Sequence, residues 1–212
     1  MPRLHQVEAD PAASILANVA VTYASLSAYQ DSGVVLTHYP HKDQPDEIVF
    51  QTLFLRPDQL RFDWVRHHPH PPLRHIKTSS SIWPDGRGSH LLAVGAQKPK
   101  EASLRLAVAG ATGVSHGSSH HIPRLLTSSI DGFALIDLSD PKLLGEEIFE
   151  GVRCHRIQGT HPRGGTYQLF VGRDDFLIRR ILRERQGGTP SEEIRREIRI
   201  NDKVSPLAPS AR

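Results

Sequence analysis

From Ile48 to Val65 the chain reads Ile-Val-Phe-Gln-Thr-Leu-Phe-Leu-Arg-Pro-Asp-Gln-Leu-Arg-Phe-Asp-Trp-Val, two alternating runs around Arg56-Pro57-Asp58. This stretch constrains the fold more than any other. In the second run Leu60, Phe62 and Trp64 share one parity while Arg61 and Asp63 hold the other. Side chains of a strand point alternately to the two faces of a sheet, so one face is apolar and the other wet. Pro57 fixes its own φ and has no N–H for a ladder, which puts it where one strand hands over to the next. The stretch is therefore a β-hairpin, and the remainder of the chain has to be further sheet or cover for its apolar face.

The remainder supplies both. Asp10 followed by Pro11 is a helix start, and Ile15, Val19, Tyr23 and Leu26 recur at helical spacing, so a helix is expected over Pro11 to Tyr29. Strands are expected at Gly33 to Tyr39, His75 to Trp83, Ser89 to Val94, Phe133 to Leu138, Glu147 to Gly159, Thr166 to Gly172, Phe176 to Arg185 and Glu193 to Asn201. Asp85-Gly86 is a hairpin turn, and His67-His68-Pro69-His70-Pro71-Pro72 is an extended loop without ladder pairing. Ala102 to Ala109 and Ile122 to Ile130 suit short helices, separated by the Gly/Ser-rich run 110–121. With about eight to ten antiparallel strands and few helices, the expected class is α+β, helices packed against one face of a strongly curved antiparallel sheet.

At 212 residues, 38% hydrophobic and 23% charged, the chain is the size of a single globular domain, expected over 1–203 with a frayed tail at 204–212. Its formal charge of +3 is spread among interspersed acids, and with 6% aromatic residues it offers neither a basic stripe nor a stacking platform for nucleic acid. The single cysteine, Cys154, rules out an internal disulfide and a cysteine-built metal cluster. No run of about 18 apolar residues is present to span a bilayer as a helix. No apolar segment of signal-peptide type follows Met1-Pro2-Arg3.

Three groups of residues could carry function. Gly113-Val114-Ser115-His116-Gly117 fits the G-x-S-x-G pattern of a nucleophile elbow, and Asp137, then His155 or His161, follow in the order acid, histidine. A serine esterase built on Ser115 is one reading. The surroundings lack the alternating strand and helix rhythm that such an elbow needs, which favours a capping loop. Thirteen histidines include two clusters, His67, His68, His70, His75 and His116, His120, His121. Imidazole ligates metals, but prolines and Gly117 splay these clusters, so they read as solvated loop histidines that gain charge near pH 6, with no metal or cofactor expected. Finally, Leu53, Leu60, Phe62, Trp64, Ile82 and Leu91 at strand spacing either line a lipid cavity or fill a core.

The order of elements, with Arg56-Pro57 before the aromatic strand Leu60 to Trp64, the Asp85-Gly86 hairpin, a helical middle and the closing Ile198-Arg199-Ile200-Asn201, resembles the LolA/LolB lipoprotein-carrier superfamily over most of the chain. The Gly/Ser-rich middle is similar to a bacterial branch of that superfamily rather than to the transport proteins themselves. The resemblance implies a half-open β-barrel whose helices form a lid over a hydrophobic cavity, with Arg56 at the position that helps to hold the lid. An arginine suits that task because its planar fork donates to several helix-end carbonyls. The implied function is non-covalent binding or carriage of a hydrophobic ligand, a lipid or acyl chain, in the periplasm or cell envelope, with an envelope lipoprotein as a further partner. The implied ligand-binding residues are Arg56, Leu60, Phe62, Trp64, Leu53, Ile82 and Leu91. The alternatives are the Ser115 esterase, a non-hydrolytic enzyme on the same fold, and a partner-binding module.

Overall fold

A computed structural model describes residues 10–67, 77–84, 89–92, 100–184 and 188–204. Helix α1 (Pro11–Ser25) starts on the expected cap, Asp10, whose carboxylate accepts from the Ala12 N–H at 2.9 Å, with Pro11 at the first helical position. It ends four residues short of the expected Tyr29. Leu26 is already extended, and Ala28 to Gly33 pair in a strand that their Gln, Asp and Ser residues had disguised.

Strand β1 (Ala28–Thr37) is followed by β2 (Asp46–Leu55) and β3 (Gln59–His67), the hairpin that the alternation specifies, with a cis peptide bond at Arg56-Pro57. Next come β4 (Lys77–Pro84), β5 (Ser89–Leu92) and β6 (Lys100–Ala102). A helical segment follows: α2 (Leu104–Thr112), α3 (Ser118–His121) and α4 (Pro123–Leu126). The chain then returns to sheet as β7 (Ser139–Phe149), β8 (Val152–Thr160), β9 (Thr166–Gly172), β10 (Ile178–Glu184) and β11 (Ser191–Ile200), ending in a 3-10 turn, Asn201–Lys203. The Pro-rich loop with His68, His70 and His75, the Asp85-Gly86 turn and the tail beyond Val204 lie outside the described residues.

All described strands join one antiparallel sheet in the order β6-β5-β4-β3-β2-β1-β11-β10-β9-β8-β7, curved and not closed. Two consecutive meanders are thus sewn together by the pairing of β1 with β11. Segment α2 to α4 leaves the sheet at edge β6 and re-enters at the opposite edge, β7, so it has to cross the concave face. One core results, in which Ile15, Val19 and Tyr23 of α1 and Ala107, Val108 and Ala111 of α2 pack with Phe50, Phe54, Leu60, Phe62, Trp64 and Ile82. Phe50, Phe62 and Trp64 form a continuous aromatic row, with successive ring centroids 5.5 and 5.6 Å apart.

Two expected strands are corrected. Phe133 to Leu138 is a pair of tight turns, closed by Asp137 N–H to the Ala134 carbonyl and Leu138 N–H to the Ile136 carbonyl. Glu147 to Gly159 is a hairpin instead of one strand, turning at Glu150 and Gly151, which both have positive φ (47° and 82°). The expected helix 122–130 is only Pro123–Leu126, because Thr127 is extended. Strand β7 was missed because it is an edge strand, mostly exposed, and carries Pro141 and two register shifts; such bulges blunt an edge against further pairing.

Close approach across the β1–β11 seam requires a glycine. A Cβ on Gly33 would run into the Phe50 ring and the Ile194 carbonyl oxygen. Gly33→Ala is expected to lower stability by about 1–3 kcal/mol through overpacking, read from the urea midpoint at unchanged m-value.

Candidate functional site

The helical segment is fastened to the sheet at two places, and the functional geometry lies at both. At the β2–β3 turn, Arg56 lies under the C-terminal ends of two helices. Its Nε donates to the Leu26 carbonyl at 2.8 Å, and its Nη2 donates to Ala24 at 2.8 Å and to Leu126 at 3.1 Å. Helix ends leave such carbonyls unpaired, and a guanidinium satisfies several at once. Next to it the Asp58 carboxylate accepts from the hydroxyls of Thr127 and, at 2.8 Å, Ser129. One hairpin turn thereby clamps α1, α4 and the residues after α4. An open depression of about 510 Å³ lies alongside, lined by Arg56, Asp58, Ala20, Leu125 and Ile136 among others.

The second fastening is a buried ionic network on the concave face that sequence reasoning did not find. Arg195 of β11 is 1% exposed. It donates to Asp31 at 2.6 Å, to Glu193 at 2.7 Å and to the Ser118 carbonyl at 3.0 Å, and its guanidinium stacks 4.7 Å from the centre of the Phe50 ring. Tyr29 donates its hydroxyl proton to Asp31 at 2.6 Å, and His121 Nδ1 donates to Glu193 at 2.7 Å. Burial alone would raise the Glu193 carboxyl; Arg195 and His121 outweigh it and hold it at about 2. Burial would likewise strip charge from Arg195, and the two carboxylates more than reverse that. Burial, with Asp31 beside it, drives the Tyr29 hydroxyl well above its ordinary range. The one available signal was Glu193 and Arg195 at i and i+2 on a strand, which resembles a solvated face until Asp31 and His121 are set opposite.

Between this network and the open end of the sheet is a half-open pocket of about 480 Å³. His116, His120, His121 and His161 contribute to its walls, with Arg163 and Arg183 at its rim. These histidines are not the solvated loop residues expected. His116 Nδ1 shares a hydrogen bond of 2.6 Å with the Thr37 hydroxyl, His120 Nε2 donates to the Asp131 carbonyl at 2.9 Å, and His161 Nε2 donates to the Ala134 carbonyl at 3.1 Å. Burial lowers the pKa of all three, that of His120 to about 4. His120 therefore stays neutral near pH 6, contrary to the charge gain expected of it. No group of three metal-ligating side chains is found among the described residues.

The residues of the esterase reading are not brought together. Ser115 is fully buried in the turn between α2 and α3, not on an elbow after a strand; its hydroxyl donates to Ser119 Oγ at 2.9 Å. Among the described residues no imidazole is hydrogen-bonded to it. Asp137 accepts from the Ala134 N–H at 2.7 Å, and His155 lies on β8 beside Glu146. Of the proposed ligand-binding set, Leu60, Phe62, Trp64 and Ile82 are buried in the core beneath the helices, and Leu91 is packed against that core, touching the position where a Gly110 side chain would begin; Leu53, paired with Arg61 and opposite in parity to Phe50 and Phe54, is buried outside that core and is not part of the floor. Arg56 borders the open depression at the β2–β3 turn, and the other six line neither that depression nor the histidine-walled pocket among the described residues.

Two predictions follow from the charges. Arg195→Ala leaves Asp31 and Glu193 buried without their cation and should cost about 3–5 kcal/mol, with partial recovery in Arg195→Ala/Glu193→Gln, measured by chemical denaturation. The second concerns pH. His120 binds its proton more weakly folded, about 4, than at its ordinary 6.5, so stability should fall as pH drops from 6.5 toward 4. Glu193 then removes stability between its ordinary 4.5 and about 2. Calorimetric Tm against pH should show both falls, and His120→Asn should flatten the upper one.

No family model and no curated protein matches the sequence. Solved structures do match the fold. LprF from Mycobacterium bovis superposes with a TM-score of 0.58 at 9% identity, covering 94% of this chain and 97% of its own. The Mycobacterium tuberculosis lipoprotein LppX gives 0.50 at 10% identity, over 93% and 99%. In the Pseudomonas aeruginosa MucA/MucB complex the TM-score is 0.51 at 11% identity, and this chain, covered over 92%, spans 59% of the matched chain. At such identities the likeness is one of fold: a curved open antiparallel sheet crossed by a helical segment, the architecture expected from the hairpin.

Proposed function

We propose that this chain is a non-covalent binding protein of the cell envelope that takes up a hydrophobic ligand, a lipid or an acyl chain, beneath its helical segment. The observation that carries this reading is the way the segment is held. Residues 104–126 cover an apolar floor that includes Leu60, Phe62, Trp64 and Ile82, and besides the apolar packing of Ala107, Val108, Ala111, Ile122 and Leu126 they are fastened by a few polar contacts, at Ser118 in mid-segment and at Leu126 and Thr127. Parting those contacts lets the helices swing while the eleven-stranded frame stays paired. The floor so exposed, aromatic and aliphatic, suits an acyl chain and nothing polar. Arg56 is the release point at the turn end, since its donors reach both α1 and α4.

The fold supports the same reading, since LppX is a lipoprotein of this fold. MucB in its complex with MucA supports a protein partner as a further possibility for the half-barrel, which for this chain would be an envelope lipoprotein. Ser115 has no part in the proposal, because its hydroxyl is enclosed.

The experiment is uptake of a fluorescent fatty acid, paired with native mass spectrometry of the purified protein. Wild type should carry or take up lipid. Trp64→Ala should weaken uptake about tenfold by removing an aromatic wall worth a kcal/mol or more. Arg56→Ala should speed entry and lower Tm by a few degrees, having lost charge-assisted bonds worth about 1.5–3 kcal/mol. Ser115→Ala should change neither. Protein that arrives empty and takes up no fatty acid overturns the proposal.

A further inference from the structure

The half-open pocket beside the helical segment is not apolar enough to be simply the mouth of a lipid cavity, and its charge is one-sided. Arg163 and Arg183 lie in its rim, and no carboxylate lines it among the described residues. The acid behind it, Glu193, is committed to Arg195 and His121. Neither rim arginine has an ion-pair partner among the described residues, and Arg183 Nε is buried without any hydrogen bond. The arrangement around Arg163 is specific. A Cβ at Gly132, which has a left-handed φ of 100°, would collide with the Arg163 guanidinium and come within 3.4 Å of His120 Nε2. Glycine there leaves room for the guanidinium of Arg163, a solvent-exposed residue that lines the pocket.

The rest of the lining fits an amphiphile. Hydroxyls come from Thr37, Tyr39, Tyr167 and Thr189, while Phe133 and Leu135 give an apolar side, with the His161 and Tyr167 rings 5.0 Å apart. The volume of about 480 Å³ is that of a small-molecule site, too small for a protein partner. Two guanidiniums without a counter-ion, beside neutral donors, are the chemistry that recognises a carboxylate or a phosphate, each oxygen accepting from a planar fork.

We propose that this pocket binds the anionic head of an amphiphile, a carboxylate or phosphate held by Arg163 and Arg183, with the adjoining hydrocarbon against Phe133 and Leu135. The inference rests on the proposed hydrophobic-ligand function and adds to it the class of the ligand and its orientation.

Cis-parinaric acid and its methyl ester test this, being the same fluorescent chain with and without the charge. The acid should bind wild type about tenfold more tightly than the ester, as one charge-assisted contact supplies. In Arg163→Gln/Arg183→Gln the acid should fall to the affinity of the ester, with the ester and the Tm unchanged. Lysophosphatidate should displace the acid, and inorganic phosphate or acetate in large excess should not. Equal binding of acid and ester, or a preference that survives the double variant, overturns the anionic site and leaves hydrophobic-ligand binding standing. Displacement by inorganic phosphate alone makes the ligand a free ion and overturns the amphiphile. If neither probe binds while calorimetry detects phosphate in wild type and not in the double variant, the anion site stands and the hydrophobic-ligand function falls; if nothing binds, both fall.

Discussion

A guanidinium removed from water is the constraint on which this structure turns. Arg195 cannot be buried without compensation, since desolvating a cation costs several kcal/mol even after the protein relaxes. Its compensation comes from three separate parts of the chain. Asp31 belongs to β1, Glu193 to β11 itself, and the Ser118 carbonyl to the crossing helical segment. The one side chain therefore ties the seam between the two meanders to the segment that covers it. The register shift between Gln30 and Ser32 lies next to Asp31, and Gly33 on the same strand leaves room for the Phe50 ring on which the guanidinium stacks. An apolar side chain at 195 would fill the space, but it would set neither the position of α3 nor that of His121. The network exchanges some stability for a defined placement of the helical segment.

That segment has little helical stability of its own. Helices α3 and α4 are four residues each, and nucleating a helix costs more than so few hydrogen bonds return. Gly117, with φ of 101°, starts the first and Pro123 the second, so they cannot merge into one longer rod. Much of the order of α3 and α4 is lent by the sheet, through Arg56 and Asp58 at the C-terminal end of the segment and Arg195 and Glu193 at α3. The Gly/Ser-rich composition, which departs from a plain apolar lid, thereby acquires a structural meaning: Ser115, Ser118 and Ser119 are buried and bonded to one another, and Ser118 and His121 are pinned to the sheet.

The sequence disclosed the parts of this design unevenly, and the reasons are physical. The hairpin from Ile48 to Val65 was legible because one face is core and the other water, which imprints a period of two. The helix cap at Asp10 was legible because its chemistry is local. Arg56 could be placed only through resemblance, for nothing in its neighbours says that carbonyls from the ends of two helices lie above it. The network was hidden because Asp31, His121, Glu193 and Arg195 are far apart in the chain, and a charged residue on a strand is normally a mark of solvent. The Ser115 pattern could be discounted for the converse reason. Five residues satisfied a motif whose meaning depends on a strand before it and a histidine beside it, and the fold supplies a helix before it and a second serine beside it.

The two fastenings also differ in kind, and the difference sets a direction across the molecule. Arg56 holds backbone carbonyls, so at that end the contact is a count of hydrogen bonds to helix ends, indifferent to what lies beneath. At the other end the sheet's acids are spent on Arg195 and His121, and Arg163 and Arg183 are left facing the pocket without acidic partners among the described residues. Burial meanwhile disfavours the charged form of His116, His120 and His161, and the two arginines are permanent cations of the pocket lining. An apolar floor beneath the helices and a pocket with two arginines would together give the proposed binding space a polarity of its own. A ligand with one charged end and one hydrocarbon end meets complementary surroundings in one orientation only, because the reverse would put its anion among Phe62, Trp64 and Ile82 with nothing to solvate it.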